Sequence, residues 1–91
     1  MLDPKQILKT ALKIYNRKFK TQYLYIKELD SLYCGAGGRE DLICSLIDLK
    51  GILYGDDYLV LDFGDDCNVY LFTDGFEFEG ESPRSSFKQA I

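Results

Sequence analysis

The chain of 91 residues contains no histidine. That absence excludes His-based catalytic triads, imidazole metal ligands and an imidazole pH switch in this chain acting alone. No apolar run approaches the ~20 residues that a membrane-spanning helix needs. The three cysteines, Cys34, Cys44 and Cys67, are odd in number and show no CxxC or other metal-binding spacing. Without histidine, a zinc site would need aspartates beside scattered thiols. The cysteines therefore read as reduced, buried small hydrophobes. The first helix is too lysine-rich for the apolar core of a secretory signal. Together with reduced thiols, this predicts a cytoplasmic location.

What the chain does contain fits a single globular domain. Apolar residues make up 46%, including seven tyrosines and six phenylalanines, enough for a core without staples. The formal charge of −4 conceals a strong polarity. Residues 1–27 carry seven Lys/Arg against one Asp, a net +6. Residues 28–81 carry fourteen Asp/Glu against two Lys/Arg, a net −12. The remaining residues add +2.

The element reading begins with a helix over 4–18. Asp3 supplies an N-cap, Pro4 suits the first helical position and Gln6 completes a capping-box pattern. Ile7, Leu8, Ala11, Leu12, Ile14, Tyr15 and Phe19 follow at helical spacing. Residues 21–26 read as a short strand, and 27–34 as a two-turn helix carrying Leu29, Leu32 and Tyr33 on one side. Gly35-Ala36-Gly37-Gly38 ends it. Residues 39–53 read as a second strong helix, with a stripe of Leu42, Ile43, Leu46, Ile47, Leu49 and Leu53 and with Glu40 and Asp41 in its first turn. Beyond Tyr54 the period changes to two. Strands are predicted over 58–63 and 68–73 with a turn between them, and Phe76 and Phe78 mark a short third strand. Residues 81–91 read as a loose tail after a domain spanning 1–80.

This order resembles the winged helix-turn-helix family over residues 4–80. Leu46, Leu49 and Lys50-Gly51-Ile52-Leu53 are similar to the end of that family's third helix. Leu71-Phe72-Thr73-Asp74-Gly75 is similar to the exit of its wing. The resemblance implies an α+β, winged helix-like fold: three helices, a C-terminal β-hairpin wing over 58–72 and a short strand between helix 1 and helix 2. It also implies a regulatory setting and association with DNA. Several residues oppose direct DNA reading. Glu40, Asp41 and Asp48 outnumber Arg39 and Lys50 on the third helix, and Asp65 and Asp66 occupy the wing tip, where phosphates require cations.

The candidate partner-binding residues are Lys5, Lys9, Lys13, Arg17 and Lys20. The first four recur at i, i+4 and form one row along helix 1. Such a row can dock an acidic protein, nucleic acid or the acidic half of a second copy, or it can be a solvated face. The two Gly-Asp-Asp triplets at 55–57 and 64–66 read as turns rather than as Mg²⁺ ligands. Gly35–Gly38 lacks the flanking strand and lysine of a phosphate cradle. No serine or cysteine has a histidine to activate it. The expectation is a non-enzymatic binding module acting through protein–protein contact or self-association as a homodimer. No cofactor, metal, small-molecule ligand or membrane contact is expected. The alternatives are an acidic DNA mimic that occupies a nucleic-acid-binding partner, and a DNA-binding regulator docking through the row on helix 1.

Overall fold

The computed structural model describes residues 3–36 and 39–80. The tail expected over 81–91 lies outside the described residues. The chain opens with α1 (Pro4–Phe19), followed by β1 (Tyr23–Ile26), one 3₁₀ turn (Lys27–Leu29), β2 (Ser31–Ala36) and β3 (Arg39–Ser45). A second sheet then forms from β4 (Gly51–Tyr54), β5 (Tyr58–Asp62), β6 (Asn68–Phe72) and β7 (Gly75–Glu79). Both sheets are antiparallel meanders, ordered β1-β2-β3 and β4-β5-β6-β7.

The first helix forms where its caps and period place it. Asp3 is extended and its carboxylate accepts the Lys5 N–H at 3.1 Å. Lys20 ends the helix in the left-handed region at φ 59°, and Arg17 and Lys18 in the last turn complement the negative end of the dipole. Leu8, Ala11, Leu12 and Tyr15 form the buried stripe. They share one core with Tyr23, Leu32, Ile43, Leu46, Leu49, Leu59, Leu61, Val69 and Leu71 from both sheets and their connections. In the second sheet Leu59, Leu61, Val69 and Leu71 turn inward, as strand alternation requires, while Tyr58, Tyr70 and Phe72 turn outward.

Two tyrosine hydroxyls tie these layers together. Tyr15 donates to the Leu71 carbonyl at 3.2 Å and to the Asp57 carbonyl at 3.0 Å, joining α1 to the second sheet. Tyr23 donates to the Phe72 carbonyl at 2.6 Å and also reaches the Gly75 carbonyl, joining β1 of the first sheet to the β6–β7 turn of the second. Asn16 holds β1 against the helix. Its amide nitrogen donates to the Tyr23 carbonyl at 2.7 Å and its amide oxygen accepts the Tyr23 N–H at 3.1 Å.

The winged helix-turn-helix reading is overturned. The described residues form one α-helix and seven strands, not three helices with a wing. The helix expected over 27–34 shrinks to one 3₁₀ turn because Asp30 enters the left-handed region at φ 48°, and β2 starts at the next residue. The helix expected over 39–53 is β3, a turn and β4. Its proposed stripe is not one face, since Ile43, Leu46 and Leu49 are buried while Ile47 and Leu53 point to solvent. Residues 58–72 are not a protruding wing but the two central strands of the second sheet, with their inner side chains fully in the core. The expected strands at 21–26, 58–63, 68–73 and after Gly75 are present within a residue or two.

Candidate protein-binding surface

The cationic row on α1 survives in part. Lys9, Lys13 and Arg17 are exposed along the helix. Lys5 is diverted: its ammonium lies 2.7 Å from the Asp30 carboxylate, with both side chains about three-quarters shielded. The hydrogen bond to Asp30 raises the lysine pKa, opposed by desolvation. Lys20 is exposed, but as the left-handed cap it lies beyond the helical row. Thus Lys9, Lys13 and Arg17 stay together, while Lys5 serves the link between α1 and the 3₁₀ turn.

Beside this row is a cleft of about 240 Å³ between α1 and the β4–β5 turn. Ala11, Ile14 and Tyr15 form one wall, and Tyr54, Gly55 and Leu59 the other. Ile14 is 64% exposed and Tyr54 63%, so two large apolar side chains stand open to solvent at its mouth. Lys18 and Asp56 also line it, one charge of each sign. The Lys18 ammonium sits 5.0 Å from the Phe19 ring, a cation–π contact that holds the cation near the cleft. At the floor, burial raises the Tyr15 pKa, reinforced by Asp57 and Asp74. That phenol remains a neutral donor to its two carbonyls at ordinary pH.

The carboxylates are dispersed, several of them at strand ends. Asp56 and Asp57 occupy the β4–β5 turn, and Asp65 and Asp66 take left-handed conformations at φ 48° and 60° in the β5–β6 turn. Both Gly-Asp-Asp triplets are therefore turns, as their composition predicts. On the outer face of the second sheet Tyr70 and Phe72 stack with ring centroids 6.1 Å apart, and Tyr58 lies 6.0 Å from Phe72. The Tyr70 hydroxyl donates to Glu79 at 2.7 Å and the Asn68 amide donates to it at 3.2 Å. These bonds lower the carboxylate pKa, the tyrosine's first.

The glycine segment 35–38 joins β2 to β3, with Ala36 paired to Arg39; Gly37 and Gly38 themselves lie outside the described residues. Among the described residues no group of three or more Cys, Asp or Glu is placed to hold a metal ion, and no helix is long and apolar enough to cross a membrane. Cys44 is buried, and Cys34 and Cys67 are half-buried.

The row on α1 was visible in the sequence from its spacing. The cleft was not, because its walls come from residues some forty positions apart that only the fold brings together. Ile14 belonged by period to the apolar set, and Tyr54 fell at the end of an expected helix. No protein-family model, curated protein or solved structure matches the chain.

Proposed function

We propose that this protein is a non-enzymatic protein-binding module that recognises an acidic partner through the cleft between α1 and the β4–β5 turn. The observation that carries this reading is the exposure of Ile14 and Tyr54 on an open apolar cleft. Large, mostly exposed apolar side chains around a concavity gain most when a partner's apolar group enters and water leaves. Lys13, Arg17 and Lys18 stand along the same helix segment and favour a carboxylate next to that anchor. The polar rim selects, and the apolar centre supplies affinity.

Selection from a displayed random-peptide library against the immobilised chain tests the reading. Binders should be enriched in an aromatic or long aliphatic residue flanked by Asp or Glu. Ile14→Glu should abolish their binding, and Lys13→Glu with Arg17→Glu should weaken it. Absence of enrichment, or binders indifferent to Ile14→Glu, contradicts the reading. The acidic-mimic alternative has less support, because the carboxylates are dispersed: Asp56 and Asp57 lie at one end of the second sheet, Asp65 and Asp66 at the other, and Glu77 and Glu79 along β7.

A further inference from the structure

Among the described residues four strands form the edges of the two sheets, and three of them are guarded. Exposed edges invite pairing with another chain unless charge or cover blocks them. β3 carries the exposed Asp41, and β7 the exposed Glu77 and Glu79. At β1 the Asn16 side chain occupies both backbone groups of Tyr23. β4, with the sequence Gly51-Ile52-Leu53-Tyr54, has no charge, no proline and no strand partner other than β5 among the described residues. Leu53 is 60% exposed and Tyr54 63%.

The hydrogen-bond phase of β4 is set at its C-terminal end, where the Gly55 N–H donates to the Tyr58 carbonyl at 2.9 Å. At the other end the Lys50 N–H donates to the Asp62 carbonyl at 2.8 Å, one residue out of that register, so the regular ladder begins at Gly51. With Leu53 opposite Val60 and Gly51 opposite Asp62, the bonded positions alternate as Gly55, Leu53 and Gly51. The backbone groups of Ile52 and Tyr54 therefore point away from β5.

The geometry points to a homodimer formed by antiparallel pairing of β4 with β4 of a second copy, centred on Leu53. A two-fold axis perpendicular to the sheet keeps the inner faces of both copies on one side. Residues paired across the axis must then share a face. Centring on Leu53 satisfies this: Leu53 meets its own copy on the outer face, and Ile52 meets Tyr54 of the second copy on the inner face. Ile52 and Tyr54 are the positions whose N–H and C=O groups point outward, so each such pair exchanges both backbone hydrogen bonds. Continued past the strand ends, the same direction of pairing brings Lys50 near Asp56 of the second copy at both ends. Lys50 and Asp56 are exposed, and neither forms an ion pair within the described residues. The contact is isologous and closes on itself. A contact between the row on α1 and the outer face of the second sheet would not close, because α1 packs on the inner face of that sheet.

This inference deepens the binding-module reading: the pairing sets the two clefts on one face of the dimer, so one partner chain can engage both. Its test is separate. Sedimentation velocity of the purified full chain, from micromolar to hundreds of micromolar, should show conversion from 10.5 kDa to twice that mass. Leu53→Lys places like charges directly opposite one another and should raise the dimer dissociation constant by about tenfold or more. Tyr54→Pro removes an outward N–H without touching the β5 ladder and should do the same. Lys50→Asp should weaken the dimer, and adding Asp56→Lys should restore it. Circular dichroism confirms that each variant folds. A chain that stays at monomer mass throughout, or a dimer unmoved by Leu53→Lys and not restored by the charge swap, overturns the pairing. The peptide selection would still decide the cleft reading by itself, since a monomer carries a complete cleft.

Discussion

Replacing Tyr23 by phenylalanine isolates the bond that locks the first sheet to the second. The ring is 3% exposed and lies 6.1 Å from that of Tyr15, and phenylalanine keeps that packing. Only the hydroxyl is lost, and with it the donor to the Phe72 and Gly75 carbonyls. A net hydrogen bond contributes about 1 kcal/mol, and stranding a buried carbonyl adds to the loss, so the expected cost is about 1–2 kcal/mol. At about 4–8 °C per kcal/mol for a domain of this size, the melting temperature should fall by roughly 5–15 °C. The pH dependence gives a second signature. Burial, then the neighbouring Cys34, raises the Tyr23 pKa far above the ordinary 10.0. Below pH 10 both folded and unfolded chains keep the proton and the contribution is complete. As pH rises further, the unfolded chain releases its proton while the folded one holds it, so stability falls. Tyr23→Phe should flatten this alkaline decline. Urea unfolding from pH 7 to 11, followed by tyrosine fluorescence and far-ultraviolet dichroism, reads both effects. A variant within ~0.5 kcal/mol of the parent, the range of an ordinary surface change, with an unaltered alkaline limb would refute the reasoning.

Three other perturbations test separate parts of the structure. Asp3→Ala removes the carboxylate that caps α1 at the Lys5 N–H and should cost about 1 kcal/mol by urea denaturation, whereas Asp3→Asn should cost less. Gly80→Ala should lower stability by at least about 1–3 kcal/mol: φ is +85° and an added Cβ would collide with the Asp66 carbonyl, so an unchanged urea midpoint contradicts the turn geometry. Burial, followed by the charge of Asp41, raises the Cys34 thiol pKa. Iodoacetamide at pH 8 should therefore label that residue much more slowly in the folded chain than in denaturant, as read by peptide mass spectrometry.

Local signals located α1 and the strands β5, β6 and β7 because each rests on chemistry within a few residues. The Asp3-Pro4 start and the alternation of Leu59, Leu61, Val69 and Leu71 need no tertiary context. Residues 39–53 failed for a physical reason. A short apolar run such as Leu42-Ile43-Cys44 fits a buried strand and a helix face equally well. Here Ile43, Cys44, Ser45 and Leu46 are buried in succession, which no amphipathic helix face allows. A competing signal stood in the sequence, since Gly37-Gly38 separates two apolar runs in the way a two-residue hairpin loop does. Asp30 was decisive and equally local: one left-handed residue converts an expected helix into a turn and a strand. The site was half legible. Lys9, Lys13 and Arg17 followed from spacing, but Lys5 was claimed by Asp30, and the apolar cleft depended on contact between Ile14 and the segment after β4.

A titration of the ¹⁵N-labelled chain with a selected acidic, aromatic-bearing peptide tests the binding reading most directly. The amide shifts that move should be those of Thr10, Ile14, Lys18, Tyr54, Gly55 and Asp56, and the Ile14→Glu chain should show none of them. Shifts confined to the outer face around Tyr58, Tyr70 and Phe72, or spread without pattern over both sheets, would contradict it.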